Sequence, residues 1–219
     1  MGSHDDSTLG IAAANALLKA LGGSEDEEVQ LAGAIGLGAM AAGPLAGPVT
    51  RHLLTELHAL LTKPAPAGLE ARRNGPHVVA AVGAANALGE LSRVCEEAAD
   101  ALLTHGLAHP RANVVWTAAR GLGFATASGR VHKSAAVALL PHLSTACGWS
   151  AATALARLCC APGASEVIEG STLLEAHRKA CSNSGRNKRY AVWTVIDAMR
   201  RLATPEVMEH ALYVVGNAW

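Results

Sequence analysis

The sequence predicts an all-α protein built from repeated pairs of antiparallel helices, and two observations lead to this prediction. The first is composition: 50% of the 219 residues are apolar and only 3% are aromatic. Ala and Leu supply most of the apolar mass, whereas strand-rich proteins rely on β-branched and aromatic residues. The second is a motif that recurs as EVQLAGAIGLGAM (28–40), HVVAAVGAANALGEL (77–91) and NVVWTAARGLGFA (113–125).

Each copy of the motif is anchored by a leucine that glycine follows directly, namely Leu37, Leu88 or Leu122. Two small residues precede the leucine by four and three positions, and Val or Ala precedes it by eight. Offsets of −8, −4, −3 and 0 lie on one face of a helix and not on alternate faces of a strand. Because a face of Ala and Gly lets a neighbouring helix come close, each copy is predicted to be the inner helix of a pair.

Capping residues and helix breakers set the expected boundaries in the first half of the chain. A first helix is expected over Ser7–Leu21, with Ser7 as its N-cap. Ser24, followed by Glu27, forms a capping-box pattern that opens the first inner helix. An amphipathic helix is expected over Val49–Thr62, then a loop insertion over 63–75, then a second inner helix from Pro76.

The second half of the chain continues the same helical periodicity. Leu155 anchors a fourth, degenerate copy of the inner helix, and a fifth is expected around Trp193. Trp116, Trp149 and Trp193 share one slot of the repeat and are interpreted as packing between repeats. Further helices are expected over Cys95–His105, Gly129–Thr145 with an interruption near Pro141, Trp149–Cys160, Ala164–Ser182, Lys188–Leu202 and Pro205–Trp219, the last capped by Thr204.

The spacing of the anchors indicates a helical repeat protein. Successive anchors lie 51, 34 and 33 residues apart, and the loop insertion explains the long first interval. A period in the thirties with two helices per unit is typical of helical solenoids. The motifs EVQLAGAIGLGAM, VVAAVGAANALGEL and VVWTAARGLGFA resemble the second helices of HEAT and armadillo-like repeats, over about 24–202.

This resemblance implies an α-solenoid, a right-handed superhelical stack of about five antiparallel helix pairs whose second helices line a concave binding surface. We therefore predict a single helical-repeat domain over 7–219, with the loop insertion at 63–75. Residues 1–6 are expected to be a flexible segment or the remnant of an expression tag.

The charge balance does not select a partner, but the charge distribution is uneven. Lys and Arg together number 18, as do Asp and Glu. Residues 1–30 carry six acidic residues against one lysine, whereas 175–201 carry seven basic residues against two acidic ones. The basic stretch is compatible with contacts to nucleic-acid phosphates, with an acidic protein partner, or with a solvated helix end that has no specific role.

Membrane and secretory classes are not expected. Val29–Thr50 has no charged residue, but its two prolines and five glycines favour buried helices separated by turns over a membrane span. The polar start of the chain is not a secretory signal. Five cysteines without CxxC spacing predict buried, reduced thiols and a cytoplasmic or nuclear location.

Two patterns that could bind a cofactor or a metal are better explained by helix packing. GLGAMA (36–41) fits the dinucleotide-binding G-x-G-x-x-A, but helical capping precedes it where a strand is needed. His105 and His109 are one helical turn apart, but no nearby Cys or carboxylate completes a ligand set. We therefore predict no cofactor, no metal and no catalytic residues.

One pair of residues supports an enzymatic hypothesis. Trp193 and Asp197 lie four positions apart and weakly resemble the Trp and Asp that face the excised base in HEAT-like alkylpurine DNA glycosylases. Those enzymes have further repeats and more aromatic and basic residues after this pair, whereas this sequence reaches Trp219 soon after it. A glycosylase or another repeat-fold enzyme is therefore the third hypothesis.

The first hypothesis is a non-enzymatic scaffold or adaptor that binds another protein within a larger assembly. The second is a repeat protein associated with RNA or DNA through the basic stretch 178–201. Phe124, the only Phe in the chain, fits either a contact anchor or a core position. The candidate partner-binding residues lie two positions before or after the anchors or in the basic stretch: Asn86, Glu90, Arg120, Phe124, Arg157, Arg186, Lys188, Arg189, Arg200 and Arg201.

Overall fold

A computed structural model describes residues 3–64, 76–125, 129–183 and 188–202, together with Glu209 and Tyr213. In these ranges all regular secondary structure is helical and no strand occurs, which confirms the all-α prediction. The chain divides into two compact units, Met1–Ala118 and Ala119–Trp219. The superhelical stack and the single repeat domain over 7–219 stay predictions, and so does the flexible segment at 1–6.

Unit 1 contains the first two copies of the motif, each as a helix of its own. Its helices are α1 (Ser3–Gly23), α2 (Glu27–Ala41), α3 (Gly47–Thr62), α4 (Pro76–Leu91) and α5 (Glu96–Ala101), followed by a π-helical turn (Leu102–Gly106). Helix α6 (Ala112–Leu122) runs through the boundary between the units. The anchors Leu37 and Leu88 are fully buried, as the motif requires.

Glycines bring α1 and α2 into close antiparallel contact. A Cβ atom on Gly33 would lie only 2.8 Å from the amide nitrogen of Leu21, and one on Gly36 would meet the Leu17 side chain. The later glycine of α2 contacts the earlier leucine of α1, so the two helices run in opposite directions. The small residues of the motif therefore hold two helix backbones close together.

The two motif helices of unit 1, α2 and α4, run parallel. A Cβ atom on Gly83 would lie 2.8 Å from the Cβ of Ala34, and one on Gly38 would lie 3.0 Å from the amide nitrogen of the Asn86 side chain. Contacts therefore advance in the same direction along both helices. Equivalent helices of consecutive copies pack side by side, as repeated helix pairs require.

Unit 2 is arranged around α8. Its helices are α7 (Gly129–Leu139), a 3₁₀ segment (Leu140–Ser144), α8 (Gly148–Cys159), α9 (Ala164–Val167), α10 (Gly170–Cys181) and α11 (Lys188–Leu202). Helix α8 packs against α7, α10 and, most extensively, α11. Its anchor Leu155 is fully buried, and so is Met199 on α11.

The N-terminal caps of the first two helices differ from those predicted. Helix α1 begins at Ser3, so Ser7 lies inside it. Asp26 caps α2 in place of Ser24, since its carboxylate accepts a hydrogen bond from the Glu28 amide at 2.8 Å. The Ser24 hydroxyl instead accepts from the Asp26 amide at 3.1 Å. A carboxylate at this position gains additional stabilisation from the positive end of the helix.

Two predicted helices are interrupted in the structure. The helix predicted over Cys95–His105 becomes π-helical after α5, where the Leu107 amide donates to the carbonyl of Leu102 at 2.9 Å. The helix predicted over Ala164–Ser182 is two helices, because Ile168 is extended with φ −96° and ψ 107°. The Ile168 side chain is buried, so packing outweighs the helical preference of this stretch.

Several predictions fall outside the described residues. These are the loop insertion beyond Pro64, the residue Arg186, and most of the helix predicted over Pro205–Trp219, of which Glu209 and Tyr213 are described as helical. The other expected boundaries are reproduced within a few residues. Among the described residues, no helix is both long enough and apolar enough to cross a membrane.

The close contact of Gly123 with α8 gives a first prediction. A Cβ atom on Gly123 would lie 2.8 Å from the backbone Cα of Ala154. Because backbone atoms cannot give way cheaply, Gly123→Ala should lower the free energy of unfolding by about 1–3 kcal/mol. Chemical denaturation followed by circular dichroism measures this change. Gly47→Ala is the matched control, since no atom lies within 4 Å of a Cβ there. Equal stability of the two variants would contradict the packing of Gly123.

The cysteines correct one expectation and give a second prediction. All five are free thiols, but Cys160 and Cys181 are exposed, so the expectation that the thiols are buried is wrong for these two.

The pKa of the Cys159 thiol is raised to about 12, mainly by burial and to a smaller extent by the neighbouring Cys160. Since the thiolate is the reactive form, a maleimide at neutral pH should label Cys160 and leave Cys159 unmodified until the protein is denatured. Tandem mass spectrometry locates the label. Labelling of Cys159 as fast as Cys160 would show that the register of α8 is wrong.

Candidate partner-binding surface

Three aromatic side chains of α8 and α11 lie at the surface of unit 2. Trp149 on α8 is 45% exposed, and Tyr190 and Trp193 on α11 are 65% and 56% exposed. The rings of Trp149 and Tyr190 have centroids 6.2 Å apart, and Trp193 follows Tyr190 by three positions on the same side of α11. We call Trp149, Tyr190 and Trp193 the aromatic cluster.

The interpretation of the tryptophans as packing between repeats stays a prediction, but none of the three is fully buried. Trp116 is exposed to a similar extent as Trp149 and Trp193. Each of the three presents about half of its surface to solvent, so none is a core residue. Large apolar side chains grouped at a surface frequently mark an interaction site.

Phe124 and Arg157, both predicted as partner-binding residues, are in contact. The guanidinium carbon of Arg157 lies 4.6 Å from the centroid of the Phe124 ring, a distance that allows a cation–π interaction. The close approach of Gly123 to Ala154 places Phe124 beside α8. Phe124 is half-buried, so it is neither a free contact residue nor a full core residue.

Helices α8 and α11 run parallel and present one continuous surface. Trp149 meets Tyr190 near the start of both helices, and Arg201 lies beside the Cys160 thiol near their ends. Residues four positions apart lie on one side of a helix. The surface that results, called the α8/α11 stripe below, consists of Trp149, Thr153 and Arg157 on α8 and of Tyr190, Trp193, Asp197 and Arg201 on α11.

Asp197 pairs with two of the predicted basic residues. Its carboxylate accepts hydrogen bonds from Arg201 at 2.8 Å and from Arg200 at 3.0 Å. These two hydrogen bonds lower the pKa of Asp197, and the bond from Arg201 has the larger effect. Glu175 on α10 likewise pairs with Arg178 and Lys179. Four of the seven basic residues of 175–201 are therefore held in ion pairs, although the two carboxylates offset only two of the seven positive charges.

Lys188 and Arg189 form the positive end of the stripe. Both are exposed in the first turn of α11, one turn or less from Tyr190, and neither has an ion pair within the part of the chain that the structure describes. A helix N-terminus is itself positive, and no acidic residue lies in this first turn. Positive charge is thus concentrated next to the aromatic cluster.

Three other predicted residues lie on other helices. Asn86 and Glu90 are half-buried on α4, where Asn86 faces Gly38 of α2 and Glu90 pairs with Arg93 at 2.9 Å. Both take part in contacts within unit 1 and are less exposed than expected, and their assignment as binding residues stays a prediction. Arg120, in unit 2, is exposed as predicted.

Sequence reasoning also missed exposed apolar residues in unit 1. Leu31 and Ile35 are exposed on α2, four positions apart and thus on one side of the helix. Because Val29–Thr50 has no charged residue, the sequence suggested buried helices there, and the exposure of these two residues was not predicted. At about 100° per residue, Leu31 and Ile35 lie on the side of α2 opposite the buried anchor Leu37, and this position predicts their exposure.

The two motifs set aside in the sequence have structural roles. GLGAMA lies in the middle of α2, where Gly36 and Gly38 are in contact with neighbouring side chains, and no strand precedes it. His109 accepts a hydrogen bond from the Arg111 amide through Nδ1 at 3.1 Å, and its pKa is lowered, first by burial. Among the described residues, no group of three or more His, Cys, Asp or Glu side chains could hold a metal ion.

Comparisons with known proteins do not assign the chain to a family. No protein-family model matches it, and a search of curated proteins finds no match. The resemblance to HEAT and armadillo-like repeats therefore rests on the motif itself.

Proposed function

We propose that the protein is a non-enzymatic helical-repeat scaffold or adaptor that binds another protein within a larger assembly. The observation that carries this proposal is the aromatic cluster next to Lys188 and Arg189. The proposed fold is a HEAT/armadillo-like α-solenoid of about five helix pairs. The parallel packing of α2 with α4, and of α8 with α11, supports it.

The chemistry of the α8/α11 stripe favours a protein interface. Trp, Tyr and Arg are the residue types that contribute most to binding energy in protein complexes. Each exposed ring that a partner covers contributes about 25 cal/mol per Å² of apolar area removed from water. Since the exposed part of each ring contributes no burial to the isolated chain, a partner that covers these rings accounts for their exposure.

Charge indicates which kind of partner segment fits this surface. Lys188, Arg189 and the N-terminus of α11 place positive charge beside Tyr190. Complementary charges steer association and select partners. We therefore expect a segment with Asp or Glu residues next to an apolar side chain that covers Trp149 and Trp193.

A nucleic-acid partner through 178–201 is less well supported. Binding of this kind depends on several unpaired cations that neutralise phosphates. Asp197 and Glu175 already pair with Arg200, Arg201, Arg178 and Lys179. The chain as a whole has a formal net charge of zero.

An enzymatic role for Asp197 also has little support. A carboxylate that accepts a proton during catalysis works best when its pKa is raised towards neutrality. Hydrogen bonds from Arg201 and Arg200 lower the pKa of Asp197 instead.

A cytoplasmic or nuclear location fits the proposed scaffold function, since the five cysteines are free thiols.

The proposal predicts that partner binding depends on the aromatic cluster. In affinity capture from the native source, Trp149→Ser combined with Tyr190→Ser should weaken retention of the specific protein partner at least roughly 30-fold, as loss of an interface hot spot of about 2 kcal/mol would. Quantitative mass spectrometry of the captured proteins measures the loss. Circular dichroism verifies that the double variant is folded.

The matched control is Val137→Ser, which changes an exposed apolar residue on α7 in the same unit. Retention should be unchanged in this variant. Equal losses in both variants would contradict a specific role of the cluster. Retention of a mixed single-stranded RNA and DNA pool at low salt, abolished by Lys188→Ser with Arg189→Ser, would replace the protein partner by a nucleic acid.

A further inference from the structure

Helix α2 presents a second surface that combines charge with exposed apolar side chains. Leu31 is 56% exposed and Ile35 is 63% exposed. Glu27 and Glu28, in the first turn of the helix, are also exposed and precede Leu31 by four and three positions. Residues spaced by three, four or seven positions lie on one side of a helix, so these four side chains form one continuous surface. We call Glu27, Glu28, Leu31 and Ile35 the α2 patch.

The negative charge of the α2 patch is not balanced within its own helix. The N-cap residue Asp26 adds a third exposed carboxylate next to Glu27 and Glu28, and α2 contains no Lys or Arg. None of the three carboxylates forms an ion pair with a residue that the structure describes. The positive N-terminus of the helix offsets only about half an elementary charge, so this end of α2 stays negative.

The α2 patch complements the α8/α11 stripe in both charge and hydrophobicity. The positive end of the stripe consists of Lys188 and Arg189, next to the exposed rings of Tyr190 and Trp193. The stripe is therefore expected to bind carboxylates that lie next to an apolar side chain. The α2 patch is a surface of this kind, and every copy of the chain carries it.

Both surfaces are open in the single chain. Leu31, Ile35 and Trp149 each expose about half of their surface or more to solvent. Apolar side chains that are grouped at a surface indicate an interaction site, whereas single exposed ones are common and need no explanation. Each surface is thus available to another molecule, and one chain supplies both members of the complementary pair.

We propose that the protein associates with a second copy of itself, with the α2 patch of one copy seated on the α8/α11 stripe of the other. This inference rests on the proposed function, because it names the protein that the stripe binds. The apolar side chains of the patch cover the aromatic cluster, and its carboxylates lie against Lys188 and Arg189. The opposite charges set the orientation of the two copies and speed their association.

The contact joins two different surfaces, so it is heterologous. Each copy in a pair keeps one patch or one stripe free, unless the two copies exchange both contacts. A variant that lacks only one of the two surfaces still provides the other. This asymmetry separates the proposed contact from non-specific association, in which any exposed apolar residue contributes.

Sedimentation velocity of the full chain over a concentration series measures the association. The average sedimentation coefficient should rise with concentration, and added salt should oppose the rise because it screens exposed charges. Leu31→Ser combined with Ile35→Ser should raise the dissociation constant at least roughly 30-fold, as loss of the central apolar contacts of an interface does. The matched control is Leu9→Ser, which changes an exposed leucine of α1 in the same unit and should leave the dissociation constant unchanged.

Mixing two variants tests which surfaces pair. Trp149→Ser combined with Tyr190→Ser should weaken association as much as Leu31→Ser combined with Ile35→Ser, so each double variant alone should be a monomer. An equimolar mixture of the two should form a complex with one copy of each, because one intact patch still meets one intact stripe. Light scattering measures the mass of this complex.

Charge reversal keeps the proposal testable if an apolar variant does not fold. Glu27→Lys combined with Glu28→Lys changes only exposed side chains and should weaken association roughly 10-fold, because like charges then face each other. Adding Lys188→Glu and Arg189→Glu to the same chain should restore association, since the charges of the two surfaces are then exchanged.

Three outcomes would overturn the proposal: a wild-type chain that stays a monomer at millimolar concentration, a Leu9→Ser variant as weak as the variant of the patch, or mixed variants that do not form a complex. A monomeric chain whose aromatic cluster still retains another protein would overturn this inference alone. A monomeric chain that retains its captured proteins without the cluster would overturn the proposed function as well.

Discussion

Close approach of helix backbones at small residues is the constraint on which the rest of the structure depends. Gly33 lets α2 approach α1, and Gly123 lets the end of α6 approach Ala154 of α8. With only 3% aromatic residues, the core consists mostly of Ala and Leu, so each side chain buries little area. Short distances between helices compensate, because dispersion falls steeply when atoms separate. A single added methyl group at such a contact therefore matters.

The same constraint explains why the large aromatic residues lie outside. The offsets −4, −3 and 0 around an anchor face the neighbouring helices, where only small residues and one leucine fit. Offset −8 is buried at Ala80, Val114 and Cys147 but exposed at Val29. At about 100° per residue, the offsets −6, −2 and +2 point to the opposite side. Around Leu155 these offsets are Trp149, Thr153 and Arg157, and around Met199 they include Trp193 and Arg201. The buried motif thus determines where an exposed stripe forms.

Local signals predicted most of the fold, and tertiary contacts account for the failures. Prolines, glycines and helical periodicity located α3, α4 and α11 within a few residues. The break at Ile168 depends on burial of its side chain, which local propensity does not report. Asn183 was assigned to a polar turn, yet it is buried and donates to the carbonyls of Leu143 and Thr145, about 40 residues away in the chain. Such a bond has no local sequence signal.

Some residues of the candidate site could also be predicted from the sequence and others could not. Comparison of the copies of the motif shows why. Phe124 and Arg157 were predicted because both lie two positions after an anchor, and the structure brings them together. Glu90 has the same offset, but it is half-buried on α4 and pairs with Arg93 in the turn that follows this helix. The buried offsets hold nearly the same residues in every copy, because each must satisfy the same packing. Of the other offsets, −6 holds Trp in three copies, whereas −2 and +2 differ from copy to copy, so these two are free to vary with the surface that each copy presents. Internal repeats therefore separate the residues that build this protein from those that remain available at its surface.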